Sequence, residues 1–568
     1  MRLRTLICST LMCSFALVAG QVKSSPVSTT SASAIPHLRK QGAVTQLIVD
    51  GKPFLALAGE LDNDAATSLD NLKPIWPALV QMNLNTVLPA VCWELVEPEE
   101  GKFDFTLVDG VIQEARRHNL RVVLIWFASW KNGLSSYAPL WAKKDFKRFP
   151  RVQTKKGTGL EVFSPIEGYG DATRDADARA FAALMRHIKE VDGQQHTIIM
   201  IQVENEVGVL GDSRDRSPAA DKAFGGPVPK ELMDYLQKNK DTLVPEFRQV
   251  WEAAGFKTSG TWEEVFGQGV GTDEIFMAWN YARYVGRVAA AGKAEYPIPM
   301  FVNCWLYGFG KPNRPGGTPS GGPLPHVMDL WKAGAPRIDM LAPDLYNDFV
   351  PFAALYTRSG NPLFNPEGQG GAEGAARALY GFGHHDAIGY SVFLIESNPQ
   401  RDSANELGRV YKAISQLTPL ITEHQGKGTL TGVLLENSQV EKVRLGDYTM
   451  NVAFGAPALR TWSSPPPPPA SAMQRNAGAL FVLTAPDEFY VTASGAMTIT
   501  FTPNTPGPPL VGVGAIDEGS FVNGRWVQGR RLDHRVTTNN DMGALRLVPA
   551  LYTHNEHSIW RVRLYRYQ

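Results

Sequence analysis

The stretch Ile198-Ile199-Met200-Ile201-Gln202-Val203-Glu204-Asn205-Glu206 runs from an unbroken apolar segment straight into two carboxylates and two amides. An apolar run of this kind after Thr197 suits a parallel strand covered on both faces. Ionised carboxylates in such surroundings cost several kcal/mol unless they are hydrogen-bonded or shifted in pKa. The place where a buried strand ends in a polar cluster is the C-terminal mouth of an α/β barrel.

Working outward, the same alternation of apolar runs and helical patterns extends over residues 45–404. Strands are predicted at 54–60, 86–93 and 121–127, then at the run ending in Glu206, then at 300–303, 338–342, 362–365 and 388–394. Leu107, Val108, Val111, Ile112 and Ala115 recur at helical spacing between the second and third strands, which makes a βαβ unit. Most of these strands end in polar or aromatic residues, among them Glu60, Trp130, Glu206, Trp305, Tyr346 and Glu367. The fold class predicted is α/β, a (β/α)8 TIM barrel. The Gly-, Lys- and Pro-rich segment after Phe127 is too long for a simple loop and is predicted to wall the substrate side.

Beyond residue 405 the pattern changes to strands and turns, interrupted by the proline run Pro465–Pro469, and a C-terminal β-sandwich over 405–568 is predicted. At the other end Arg2 and Arg4 precede the apolar stretch Leu6 to Ala19, which reads as an export signal over residues 1–20. That run is too short to span a membrane comfortably, so no membrane span is expected and the protein is read as exported, periplasmic or secreted. Residues 21–44, with a Ser/Thr/Pro-rich part from Ser24 to Ser33, are predicted to form a flexible tether. Cys92 and Cys304 are too few for a disulfide framework and read as buried thiols. Basic and acidic residues balance at 56 each, which leaves no basic field for a nucleic-acid partner.

Two carboxylates on different strand ends suit retaining glycoside hydrolysis, one donating a proton and the other attacking the sugar about 5 Å away. Glu206 is the candidate acid, and Asn205 is placed to bond the sugar 2-hydroxyl. The candidate nucleophile is Glu367 in Phe364-Asn365-Pro366-Glu367-Gly368-Gln369-Gly370. Glu204, on the same strand parity as Glu206, is expected to raise its pKa through its charge. Trp130 and Asn132 are candidates for stacking on and bonding the sugar, Glu60 for touching a hydroxyl, and Tyr346 for orienting the nucleophile. Each has an ordinary structural alternative: core tryptophan, turn asparagine, ion-pair partner and packed tyrosine. Glu97 reads as structural. His384-His385-Asp386 only superficially suggests a metal cluster, because adjacent histidines point apart, and no metal is expected.

The stretch Trp93-Glu94-Leu95-Val96-Glu97-Pro98-Glu99-Glu100-Gly101-Lys102-Phe103-Asp104-Phe105, together with Gln202 to Glu206 and the glutamate at 367, resembles glycoside hydrolase family 35 β-galactosidases. The resemblance implies Glu206 as acid/base, Glu367 as nucleophile, galactose as glycone, a carbohydrate as partner and no cofactor. It also suggests a bacterial branch with its own C-terminal domain, some of whose members act on plant xyloglucan side chains. The chain departs from the family at Gly59 to Asn63, at Val207 and at Ala128 to Gly133, where family members commonly carry a His-Tyr pair, an aromatic and a Tyr-rich loop. The alternatives are another retaining barrel glycosidase, endo-glucanase or mannanase-like, and a carbohydrate-binding protein without catalysis.

Overall fold

A computed structural model describes residues 35–308, 310–311, 314–397, 402–436, 440–455, 476–532, 538–539, 544–547 and 559–568. The export signal, the Ser24–Ser33 tether and the Pro465–Pro469 run lie outside the described residues.

Eight parallel strands build the barrel: β1 (Ala56–Glu60), β2 (Thr86–Leu88, resumed after Pro89 at Ala90–Cys92), β3 (Arg121–Lys131), β4 (Ile198–Asn205), β5 (Met300–Trp305), β6 (Met340–Asp344), β7 (Phe364–Asn365) and β8 (Gly389–Tyr390). Neighbours follow chain order from β1 to β6, and β8 pairs with both β7 and β1. A bridge between Leu345 and Gly368 joins the ends of β6 and β7. Several strands differ in extent from expectation: β1 begins at Ala56 and β7 at Phe364, β6 starts later than 338–342, β8 covers only Gly389–Tyr390, and β3 and β5 run on to Lys131 and Trp305.

Alternation along β3 sorts its side chains. Val123, Ile125 and Phe127 join Ala56, Ala58, Phe301 and Phe364 in the lumen, while Val122, Leu124, Trp126, Ala128 and Trp130 pack against the surrounding helices. An antiparallel hairpin and a third strand, His37–Gln41, Val44–Val49 and Lys52–Phe54, precede β1. Ordered structure thus begins inside the stretch expected as tether. Leu47 and Val49 from this unit join the lumen cluster and close the barrel at its N-terminal end. Cys92 and Cys304 are free and buried, as expected. Burial pushes the Cys92 thiol up to about 12.

The helix Asp402–His424 crosses the expected domain boundary and leads into two antiparallel sheets of six and five strands. Leu435, Met450, Phe481, Phe489, Ile499 and Trp560 from both sheets share one apolar core, which makes the pair a β-sandwich. It packs on the barrel through the helix Gly371–His384, which follows β7. Leu434, Leu480 and Val482 belong to the same apolar cluster as Ala376 and Leu379 of that helix. Close approach depends on glycine: a Cβ on Gly478 would stand 2.4 Å from the carbonyl oxygen of Ala376. Gly478→Ala is therefore expected to destabilise the protein by about 1–3 kcal/mol through overpacking, read as a lower midpoint in denaturant unfolding.

Candidate active site

The end of β4 is built to send neighbouring side chains in different directions. Its pairing with β3 shifts register between Val203 and Asn205, and Glu204 and Glu206 have φ of 63° and 45°. Non-glycine residues rarely occupy this left-handed region, so the turn must be held by its surroundings. The side-chain amide of Gln202 donates to the Glu204 carbonyl at 3.1 Å, and Asn303 Oδ1 on β5 accepts from the Glu206 N–H at 2.8 Å. Gly208 follows, where a Cβ would stand 2.5 Å from Pro319.

The broken alternation separates the two glutamates. Glu204 is fully buried on the helix side, accepting from the backbone N–H groups of Ser129 and Trp130 at 3.1 and 2.9 Å. It is hydrogen-bonded to Asp177, which also accepts from Trp126, Ser129 and Tyr284. Burial, then the Asp177 charge, pushes the Glu204 carboxyl well above the usual range, and burial also raises Asp177. The charge that raises Glu206 is therefore not that of Glu204, contrary to the sequence reading. Burial is the main cause, and Glu367 is the next; together they push Glu206 up to about 7 against the lowering effect of Lys131.

Glu367, just beyond β7, receives three hydrogen bonds. Asn205 Nδ2 donates to Oε1 at 3.3 Å, Asn303 Nδ2 donates to the same oxygen at 3.3 Å, and the Tyr346 hydroxyl donates to Oε2 at 3.0 Å. Lys131 Nζ donates to Asn205 Oδ1 at 2.8 Å, which fixes the amide with its NH2 toward Glu367. Asn303 Nδ2 also donates to Asp344 Oδ2 at 2.9 Å. The carboxylates of Glu206, Asp344 and Glu367 each present an oxygen within 4.8 Å of the others, a spacing that would also accept a cation. Burial, followed by the charges of Glu367 and Glu206, pushes Asp344 well above the usual carboxylate range.

These groups open into a cavity of about 470 Å³ whose lining includes Asn63, Lys131, Asn132, Trp305, Tyr346 and Phe393. Glu206, Glu367, Asn205, Asn132 and Tyr346 are thus brought together as the sequence predicts. Two candidates do not reach the cavity. Trp130 is a core residue, fully buried, donating to the Phe163 carbonyl at 3.0 Å and packed on Tyr281 and Tyr284. Glu60 is buried and does not line the cavity; burial and then the Glu367 charge raise its pKa well above normal. Lys131, Asn303 and Asp344 escaped the sequence reading. Parity gave no signal for Lys131, because β3 is irregular between Trp126 and Lys131 and Ser129, on the same parity, bonds Asp177 on the helix side. Glu97 is structural, as read: it accepts from Trp93 Nε1 at 2.8 Å and from the Gly101 N–H at 2.7 Å.

Residues 73–266 match the sequence profile of glycoside hydrolase family 42, described as beta-galactosidase, and residues 407–533 match one described as a domain of unknown function (DUF5597). The family-35 resemblance is corrected accordingly: the matching profile is that of family 42, and the β-galactosidase description is common to both. The matched region includes Glu206 and ends before Glu367. A beta-galactosidase of Xanthomonas manihotis is 29% identical over 198 residues, covering 33% of this chain. The chain matches 29% of the length of that curated relative. Among solved structures, a beta-galactosidase from Rahnella sp. R3 aligns with a TM-score of 0.44 at 15% identity, covering 65% of this chain and 57% of that one. The catalytic domain of a beta-amylase from Paenibacillus polymyxa aligns at 0.43 and 14% identity, covering 63% and 97%.

The electrostatics can be checked without a substrate. A carboxyl NMR titration is expected to show Glu206 titrating with a midpoint of about 7. Because the Glu367 charge disfavours ionisation of Glu206, Glu367→Gln should move that midpoint down, and Glu204→Gln should leave it where it is.

Proposed function

We propose that the protein is a glycoside hydrolase, a retaining exo-β-galactosidase that removes terminal β-D-galactosyl residues from oligo- or polysaccharides. The observation that carries this reading is the pair Glu206 and Glu367, on different strand ends with oxygens no more than 4.8 Å apart. Retaining pairs stand about 5 Å apart, whereas inverting pairs are separated more widely to admit a water. The match of residues 73–266 to a β-galactosidase profile supports galactose as the glycone. A cavity bounded by residues that follow β1, β3, β5, β6 and β8 supports an exo-acting pocket over an open cleft.

In this mechanism the Glu367 carboxylate attacks the anomeric carbon while the Glu206 carboxyl protonates the departing glycosidic oxygen. The leaving group departs as an alcohol and a galactosyl ester remains on Glu367. Glu206, now a carboxylate, takes a proton from water as that water attacks the anomeric carbon and releases Glu367. Asn205, with its amide oriented by Lys131, presents its NH2 toward the 2-hydroxyl, and this contact strengthens as positive charge develops on the ring. Tyr346 and Asn303 hold the nucleophile in line through Glu367 Oε2 and Oε1.

At the rim Trp305 is 38% exposed, next to Tyr307, and offers an apolar face to the sugar that leaves. We propose galactosyl side chains of plant polysaccharides such as xyloglucan as the substrate class. The basic and apolar N-terminal stretch supports an exported protein.

Two measurements test this reading. Wild type is expected to cleave nitrophenyl β-D-galactoside, with kcat/KM falling as pH rises through about 7 because the acid must be protonated. Glu367→Gly should lose roughly 10⁴-fold in rate, the scale on which a covalent mechanism loses its nucleophile, and azide should restore turnover with an inverted galactosyl azide as product. A silent wild type would break the link to galactose, and an azide product of retained configuration would remove Glu367 from the nucleophile's role.

A further inference from the structure

We propose that Asp344 acts with Glu206 in the first half of the reaction, as a carboxylic acid whose O–H donates to the Glu206 carboxylate while Glu206 gives its proton to the leaving group. This rests on the reading of Glu206 as the acid. The geometry that carries it is the clamp formed by Asn303. Its Oδ1 accepts from the Glu206 N–H at 2.8 Å, and its Nδ2 donates to Asp344 Oδ2 at 2.9 Å, so one amide sets β4 and β6 at a fixed separation. Asp344 is 4% exposed, and its second oxygen, Oδ1, is buried with no partner among N–H and hydroxyl donors. A buried carboxyl oxygen left in this way needs a proton of its own or a donor.

The partner available is Glu206, which presents a carboxyl oxygen within 4.8 Å of one of Asp344's. With Oδ2 taken by Asn303, the structure assigns the proton to Oδ1. The charged and titratable groups that face this pair are Glu367 on the β7 side, Lys131 on β3, Glu60 on β1, the Cys304 thiol on β5 and the phenols of Tyr346 and Tyr356 beyond β6. Lys131 is the one cation among them, and it is bonded to Asn205 rather than to Glu206. As the proton leaves Glu206, negative charge appears on a buried carboxylate. A donor already in place costs no reorganisation at that moment. No extra atom enters the balance: Asp344 keeps its proton, and Glu206 transfers its own to the glycosidic oxygen.

The role predicts a dependence on the leaving group. Asp344→Leu removes the donor and is expected to lower kcat/KM by about 10- to 100-fold for phenyl and alkyl β-galactosides, which need the acid. For the dinitrophenyl galactoside, whose leaving group needs little protonation, the loss should be within a few-fold. Asp344→Asn retains an N–H donor toward Glu206 and should recover most of the loss. A loss of equal size across the series would make Asp344 merely structural and overturn the proposal.

A second readout needs no turnover. In a carboxyl NMR titration the Glu206 midpoint should rise in Asp344→Leu, because the donor stabilised the charged form, and should stay near the wild-type value in Asp344→Asn. An unmoved midpoint in a folded Asp344→Leu protein overturns the proposal even if the wild type cleaves no glycoside, an outcome that would separately sink the galactosidase reading.

Discussion

Four carboxyl groups buried around a single ammonium cannot all be ionised. Glu60, Glu206, Asp344 and Glu367 surround Lys131 at the mouth of the barrel, each removed from bulk water. Burial alone pushes the Lys131 ammonium toward its neutral form, and the carboxylates around it more than reverse that effect, so its net pKa is raised. One positive charge offsets about one negative charge in so dry a place. Burial and the neighbouring charges accordingly push the carboxyls of Glu60, Glu206 and Asp344 above the ordinary carboxylate range. On the proposed reading, separation of acid from nucleophile follows from the shortage of cations.

The rest of the architecture holds those groups still. The barrel closes between β6 and β7 through the bridge of Leu345 to Gly368, and the Leu345 N–H donates to the carbonyl of Glu367 itself at 2.8 Å. Closure of the sheet and placement of Glu367 are thus one event. Asn303 does the same across β4 and β5, holding Glu206 at a φ that would otherwise relax. At the opposite end the hairpin before β1 fills the lumen with Leu47 and Val49, so the lower layers are apolar and the titratable groups gather at one mouth.

Much of this was legible in the sequence, for physical reasons that also explain the errors. Parallel strands buried on both faces read as apolar runs, so all eight strands were visible, and carboxylates at the ends of such runs pointed to Glu206 and Glu367. The error at Trp130 came from reading residue type alone: a tryptophan near a strand end suggests a sugar platform, but this one packs with Val122, Leu124 and Trp126 on the helix side. Lys131 next to it went unread, because β3 is irregular between Trp126 and Lys131 and parity gives no signal there. Glu204 was misplaced for the opposite reason, since alternation was trusted through a bulge and a left-handed residue that local sequence does not announce. Asp344 and Asn303 became visible only when β5 and β6 were side by side.

The C-terminal sandwich also connects to the site. Arg377, on the helix that the sandwich covers, is 4% exposed and donates through Nε to Glu436 of the region matched to a domain of unknown function. Through Nη1 it donates to the carbonyl of Tyr346 at 2.9 Å, and the Tyr346 hydroxyl donates to Glu367. A buried guanidinium needs a carboxylate, and the barrel helix supplies only Glu373, which is partly exposed. Glu436 completes the neutralisation from the other domain. The path from sandwich to Glu367 is then three contacts long, and each is a hydrogen bond whose direction is fixed by chemistry. The strands beyond residue 430 and the segment that carries Tyr346 are thus joined through one buried guanidinium on the helix that follows β7.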